Sequence, residues 1–233
     1  MPSKLPDLTE GGFRDELLRL APEALSPSAI RALYHHYQEL ARWNRRLSLV
    51  GPGTAAEIVS RHYVEALAAL PLIPAGTKVA VDIGSGAGFP GMILKAALPE
   101  VEMTLVEAQE RKWLFLLTAA RRASLPCRCL NVRIASPLPR GLPERFDLLT
   151  TRALKLEAAL LQELASRLTS TGCMLLWVGK DDPELPPELS RGESIGLPGS
   201  DRRRILKLHA TQSVFRRDRA AHSAGASNRA TNR

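Results

Sequence analysis

Apolar side chains recur at helical spacing from Ile30 onward: Ile30, Leu33, Tyr34, Tyr37, Leu40 and Ala41 share one face. Ser26 is placed to cap that helix and Pro27 suits its first turn, so it should run to about Trp43-Asn44. A shorter amphipathic piece (Phe13, Leu17, Leu18, Leu20) precedes it and is broken by Pro22. Thr54-Ala-Ala-Glu57 reads as a capping box. It predicts a second helix with Ile58, Val59, Tyr63, Ala66, Leu67 and Leu70 inward, closed by Pro71 and Pro74.

At Val79 the period changes. Short apolar runs at 79–83, 103–107, 127–131, 146–150 and 173–178 read as strands. Helical patterns at 90–98, 111–123 and 156–168 separate them, with Trp113, Leu114, Leu117 and Ala120 turned to the sheet and Gly172 closing the last. Residues 136–143 and 181–187 are proline-rich loops. Arg204–His209 alternates charged and aliphatic residues, as an edge strand does. Strands alternating with helices imply an α/β fold, a mostly parallel sheet covered on both faces. Its ligands bind at the carboxyl ends of the strands.

The chain has 233 residues, 45% of them hydrophobic, enough for one domain with a full core. The expected division is a short helical lead at 1–25, a helical extension at 26–75, the α/β domain at 76–211 and a tail at 212–233. The net charge of +8 is concentrated at one end. Arg202–Arg233 holds nine basic side chains and one acid, while the rest holds 23 of each. Such an end attracts phosphate, and the segment beyond Gln212, poor in apolar residues, is expected to be disordered. No apolar run is long enough to span a bilayer, and the N-terminal residues lack a secretory core. Cys127, Cys129 and Cys173 show no metal-ligand spacing and read as buried thiols of a cytoplasmic protein. No metal and no membrane partner is expected.

The chemistry concentrates in Val79-Ala-Val-Asp82-Ile-Gly84-Ser-Gly86-Ala-Gly88-Phe89-Pro-Gly91. An apolar run ends in an acid and opens onto alternating glycines, which allow a sharp turn and close approach of a ligand. Dinucleotide sites use GxGxxG and rest a pyrophosphate on a helix N-terminus. Here the acid two residues before the first glycine favours a cationic ligand instead. Glu107, ending the next apolar run, suits ribose hydroxyls. Together these fit S-adenosylmethionine, with ammonium and sulfonium near Asp82.

Further motifs carry a resemblance. Arg42-Trp43-Asn44, Arg61-His62-Tyr-Val-Glu65, the Asp82–Gly91 loop, Glu107 with Arg111-Lys112, Phe146-Asp147, Thr151-Arg152-Ala153, Lys180 and Arg203-Arg204 are arranged along residues 28–210. The chain resembles the bacterial small-subunit ribosomal RNA guanine-N7 methyltransferases (the RsmG or GidB family). The resemblance implies a Rossmann-like class I methyltransferase fold with a seven-stranded sheet, S-adenosylmethionine as cofactor, and 16S rRNA of the small ribosomal subunit as partner. It implies cofactor contacts from Gly84 and Phe89, in the loop whose Gly86 and Gly88 are read as cofactor-binding too. Ile134 and Ala135 would frame the adenine. Arg152 would stand beside the cofactor and the target base, and Arg111, Lys112, Lys180 and Arg203 would lie around an RNA-facing rim. The family's Asp-Ser pair is Glu65-Ala66 here. A monomer is expected.

Guanine N7 carries an exposed lone pair and needs no deprotonation, so such a site needs no general base. The chain agrees: Thr150-Thr151-Arg152-Ala153 stands where amino and C5 methylases carry their signatures. Arg152 serves either the guanine O6 or the methionine carboxylate. His62 reads as a core or capping histidine, and Trp43 as packing between the helical extension and the sheet. Two other readings compete: a non-catalytic RNA-binding protein, and a small-molecule methylase disfavoured by the basic end.

Overall fold

The computed structural model describes residues 4–21, 25–152 and 156–214. Two helices open the chain. Helix α1 spans Glu10–Leu20, its first turn closed by the Thr9 hydroxyl, which accepts the Gly12 N–H. Helix α2 spans Pro27–Asn44, and Ser26 Oγ accepts the Ala29 N–H at 3.1 Å. Both bury their apolar stripes, among them Phe13, Leu17, Leu33, Tyr37 and Leu40.

The second predicted helix is broken up. A single turn, α3, spans Pro52–Ala55; a wide π-helical turn follows at Val59–Val64, then the short α4, Glu65–Leu67. Pro52 fixes the first turn two residues ahead of Thr54, so Thr54 caps nothing. Its hydroxyl contacts His62 Nε2 at 2.9 Å instead.

The α/β part then runs β1 (Val79–Ile83), α5 (Gly91–Ala97), β2 (Glu102–Val106), α6 (Glu110–Arg122), β3 (Cys127–Leu130), β4 (Phe146–Arg152), α7 (Ala158–Ser166), β5 (Leu168–Val178), β6 (Leu189–Gly196) and β7 (Arg204–Ala210). The seven strands form one sheet in the order β3-β2-β1-β4-β5-β7-β6, and β7 runs antiparallel to both neighbours. The predicted strands are present, with two corrections. Arg204–Ala210 is no edge: it lies between β5 and β6, and Ile205 and Leu208 are fully buried. The edge on that side is β6, which the hydropathy pattern hid because Leu189 alone among its residues is buried.

Gly172 does not close a helix. It sits within β5, where an added Cβ would come within 3.0 Å of the Asp147 carbonyl, so the strand needs a residue without a side chain there. Helix α6 is rotated from expectation. Phe115, Leu116, Ala119 and Ala120 are buried, because α6 packs against α2 as well as the sheet; Leu114 and Leu117 stay exposed. Two apolar clusters cover the sheet. One joins α1, α2, α5 and α6; the other includes Leu160, Leu161 and Leu164 of α7.

Cys127, Cys129 and Cys173 are free thiols, and burial pushes Cys127 up to about 12. Residues 215–233, most of the predicted disordered tail, and Ala153 of the Arg-Ala pair lie outside the described residues.

Candidate active site

The glycine loop leaves the carboxyl end of β1, at the sheet centre where strand order reverses between β1 and β4. Gly84, Gly86 and Gly88 all have positive φ, at 72°, 52° and 85°. Only glycine adopts such angles without strain. Ser85 stitches the loop down: its hydroxyl donates to the Asp82 carbonyl at 3.0 Å and accepts the Val106 N–H at 3.2 Å. Around Gly86 a Cβ would meet only the Gly84 carbonyl, at 3.7 Å, so the loop presents open backbone to a ligand.

Asp82 lies fully buried beneath the loop. Thr150 of β4 donates to its Oδ1 at 2.7 Å, and Oδ2 is buried without a hydrogen bond. Burial pushes its pKa up to about 6, against the opposing pull of the Thr150 bond. Asp82 therefore presents the loop with its field and no exposed oxygen. Glu107, just past β2, accepts the Gly86 N–H at 2.9 Å through Oε2 and the Gln109 N–H at 2.8 Å through Oε1. It ties the glycine loop to the start of α6. Asn131 reaches back to the Glu107 carbonyl at 2.9 Å, which anchors the start of the segment that leads to Ile134 and Ala135. Ile134 is half-buried and Ala135 exposed.

Arg152 ends β4 and lies in a cluster the motif spacing did not disclose. Glu65 is fully buried and accepts hydrogen bonds from Arg152 Nη2 at 2.9 Å and from Arg203 Nη1, while Arg61 Nε lies 3.2 Å away as an ion pair without a hydrogen bond. Arg152 also donates to the Arg61 carbonyl at 2.8 Å, while its Nη1 is buried with no hydrogen-bond partner. Three cations on one carboxylate leave a positive field. Burial and the charges of Arg152, Arg61 and Arg203 hold His62 down to about 3. A neutral His62 ring packs 5.0 Å from Phe89.

A second set of groups missed in the sequence supports the loop from α2. His36 is fully buried, with Nε2 2.9 Å from the Ala87 carbonyl and Nδ1 2.7 Å from the Tyr63 hydroxyl. A carbonyl only accepts, so Nε2 carries the proton and Tyr63 donates to Nδ1. The Phe89 ring packs on His36 and Tyr63 at 5.3 and 5.1 Å, so the loop offers a ligand its backbone more than this ring. Burial holds His36 down to about 4. A base lowered in the fold contributes stability that is complete above its ordinary 6.5 and is lost as pH falls toward 4. Urea unfolding between pH 7 and 5 is expected to include this slope, about 1.4 kcal/mol per pH unit for one proton, beside the contributions of His62 and Asp82, and His36→Gln should lower the total by that one proton's share. An unchanged slope in the variant would place the proton uptake elsewhere.

The predicted RNA-facing residues separate. Arg203 is half-buried on Glu65, Lys180 is exposed beyond β5, and Arg111 and Lys112 start α6 on the far side of the glycine loop. Among the described residues no helix is long and apolar enough to cross a membrane, and no three metal-ligating side chains cluster.

The sheet order, the glycine loop after β1 and the acid after β2 define a Rossmann-like methyltransferase fold. Solved structures with that fold include a SAM dependent methyltransferase from Aquifex aeolicus, with TM-score 0.52 and 15% identity over 70% of this chain and 96% of that one. A fibrillarin/Nop5p complex matches at TM-score 0.51 and 18% identity, over 64% and 82%. The family "GidB: rRNA small subunit methyltransferase G" matches residues 29–185, and the chain belongs to it. Relatives called ribosomal RNA small subunit methyltransferase G include one from Anaeromyxobacter dehalogenans strain 2CP-C, 30% identical over 89% of this chain and 98% of its own length. Another, from Paramagnetospirillum magneticum, is 37% identical over 58% of this chain. The match spans 63% of that relative's length.

Proposed function

We propose that this protein transfers a methyl group from S-adenosylmethionine to N7 of a guanine in small-subunit (16S) ribosomal RNA, acting as a cytoplasmic monomer. The observation that carries this reading is the Arg152 guanidinium at the carboxyl end of β4. One side is held by Glu65, and a buried N–H is left without an acceptor. A buried donor left unpaired costs about 1–3 kcal/mol, so a ligand oxygen placed there is strongly favoured. Guanine O6 and the methionine carboxylate both supply one.

The residues present fit the cofactor. A fully buried acid under an open glycine loop attracts a cationic sulfonium, and Glu107 at the end of the next strand is the acid type that accepts ribose hydroxyls. Gly84, Gly86, Gly88 and Phe89 line the loop, with Ile134 and Ala135 framing the adenine. S-adenosylmethionine supplies an activated methyl group; the protein supplies position and field. Because N7 attacks with its own lone pair, the neutral His62 has no proton to remove. Catalysis is then alignment in a crevice with fixed charges. Arg111, Lys112 and Lys180 hold the RNA at the rim, and Arg203 acts through the Glu65 cluster.

Tritium transfer from labelled cofactor to small subunits lacking the mark, with nuclease mapping, tests the reading. Label on guanine N7 is expected. No transfer, with no cofactor binding by calorimetry at micromolar levels, would leave an RNA-binding protein. Arg152→Ala should cut transfer at least tenfold, about 1.4 kcal/mol or more, while Arg61 and Arg203 keep Glu65 paired and the fold intact. An unchanged rate would remove Arg152 from the site. A rise in cofactor Kd assigns it to the methionine carboxylate; an unchanged Kd assigns it to the base.

Asp82 gives a pH signature. Its charged form attracts the cofactor cation, and it is charged above its raised pKa of about 6. Cofactor affinity is expected to fall as pH drops through that value, and Asp82→Asn should bind weakly with no such dependence. A variant that keeps the wild-type pH profile would clear Asp82 of the role.

A further inference from the structure

Beside the cofactor crevice lies a cavity of about 690 Å³, between the end of α2 and the start of α6. Its walls include Trp43, Arg45 and Arg46 on one side and Arg111 and Leu114 on the other. The volume falls in the range of about 300–1,000 Å³ that ligand sites occupy. The α2 wall is held in place. Asn44 is buried and its Oδ1 accepts the N–H groups of Leu49 and Val50 at 2.9 and 2.8 Å, so the arginines project from a fixed turn. Trp43 packs edge-on to Phe115 of α6, with ring centroids 5.9 Å apart.

The charges here are uncompensated. Glu39 is occupied by Arg42 and Arg122. Among the described residues no carboxylate pairs with Arg45, Arg46 or Arg111. An apolar component accompanies them, because Leu114, which lines the cavity, is 41% exposed. Unpaired guanidiniums around an indole and an exposed leucine match the chemistry of single-stranded nucleic acid, which presents phosphates to arginine and unstacked bases to aromatic rings. An acidic protein segment would meet the charges without using the ring.

We propose that this cavity binds a nucleotide of the RNA other than the methylated guanine, its base against Trp43 and its flanking phosphates on Arg45, Arg46 and Arg111. The inference rests on the reading of an RNA substrate. Arg111 lies two residues past Gln109, whose N–H is held by Glu107, so a strand seated in the cavity runs directly beside the cofactor crevice. Such a site would orient the RNA before the target base enters.

The test uses the full chain and a labelled single-stranded adenosine–uridine octanucleotide, followed by fluorescence anisotropy at several salt concentrations. Arg45→Glu with Arg46→Glu is expected to weaken binding at least tenfold and to reduce the log–log salt slope by about 1.4, from about 0.7 per lost phosphate contact. Calorimetric cofactor affinity should not change, and with small subunits KM should rise while kcat holds. Trp43→Phe, which keeps a ring at the Phe115 contact, should weaken the octanucleotide with its salt slope unchanged. Wild-type RNA affinity and slope in the arginine variant would overturn the proposal, as would equal competition by polyglutamate. The reading as a methylase fails separately: a wild-type chain that binds the octanucleotide through these arginines yet transfers no methyl group retains the cavity and loses the reaction.

Discussion

Glu65→Ala is expected to destabilise the protein by about 3–5 kcal/mol, the cost of removing one partner from a buried ion pair. The carboxylate has no exposure to solvent, and Arg61, Arg152 and Arg203 converge on it from the π-helical turn, β4 and the approach to β7. Without it, three guanidiniums repel one another in a site that water enters poorly. The loss is one of charge pairing: the Glu65 backbone carbonyl, which accepts the indole N–H of Trp177 on β5 at 3.0 Å and seats the helical extension on the sheet, is kept in the variant. Urea denaturation at pH 7 measures the effect. Glu65→Gln, which keeps the shape and one acceptor, should fall between the two. Adding Arg203→Ala to Glu65→Ala should recover part of the loss by relieving repulsion. A surface comparison is Arg191→Ala: its Asp182 pair is exposed and worth about 1 kcal/mol or less. Glu65→Ala within 1 kcal/mol of wild type would mean that solvent screens the cluster and that Arg152 is not positioned by it.

This cluster also marks where sequence reading stopped. The glycine loop, the acid after β2 and the apolar strands were legible because each is a local signal: a turn needs glycine, and a doubly buried strand needs a run of aliphatic residues. Ser26 likewise announced α2 with its own side chain. Glu65 announced nothing. Its partners Arg152 and Arg203 lie 87 and 138 residues away, and a single acid in an apolar stretch carries no periodicity. His36 was hidden similarly, since its contact with Ala87 spans 51 residues. A histidine on an apolar face, followed downstream by a tyrosine and a glycine loop, was the one available hint. Arg203 was assigned to the RNA rim by resemblance, yet the fold turns it onto Glu65. The edge strand β6 went unread because it buries so little, and β7 was mistaken for the edge because Arg204 and Lys207 interrupt its aliphatic residues. In each case tertiary contact outweighed the local pattern.

Gly91 shows how closely the loop and its buried acid are built together. It is the first residue of α5 and does not have the positive φ of Gly84, Gly86 and Gly88, so backbone strain does not explain the glycine. Space does. A Cβ there would lie 2.5 Å from Leu105 Cδ2, 2.7 Å from Asp82 Cβ and 2.8 Å from Asp82 Oδ2. The last two belong to a residue fixed in β1, so the helix has to move instead. Gly91→Ala is therefore expected to cost about 3 kcal/mol, the upper end for an overpacked site. It should also lift α5 from the acid and weaken cofactor binding with it. Leu105→Ala alone is a large-to-small change costing about 2–5 kcal/mol. Combined with Gly91→Ala it removes the shortest clash, so the double variant should be more stable than the sum of the single losses by about 1 kcal/mol or more. The Asp82 clash persists, so recovery stays incomplete and cofactor affinity should remain low. Denaturation of the four proteins in the cycle, with calorimetric titration of each, checks both halves. Strict additivity would show that α5 and β2 do not press on one another, and unchanged cofactor affinity in Gly91→Ala would separate the helix from the site.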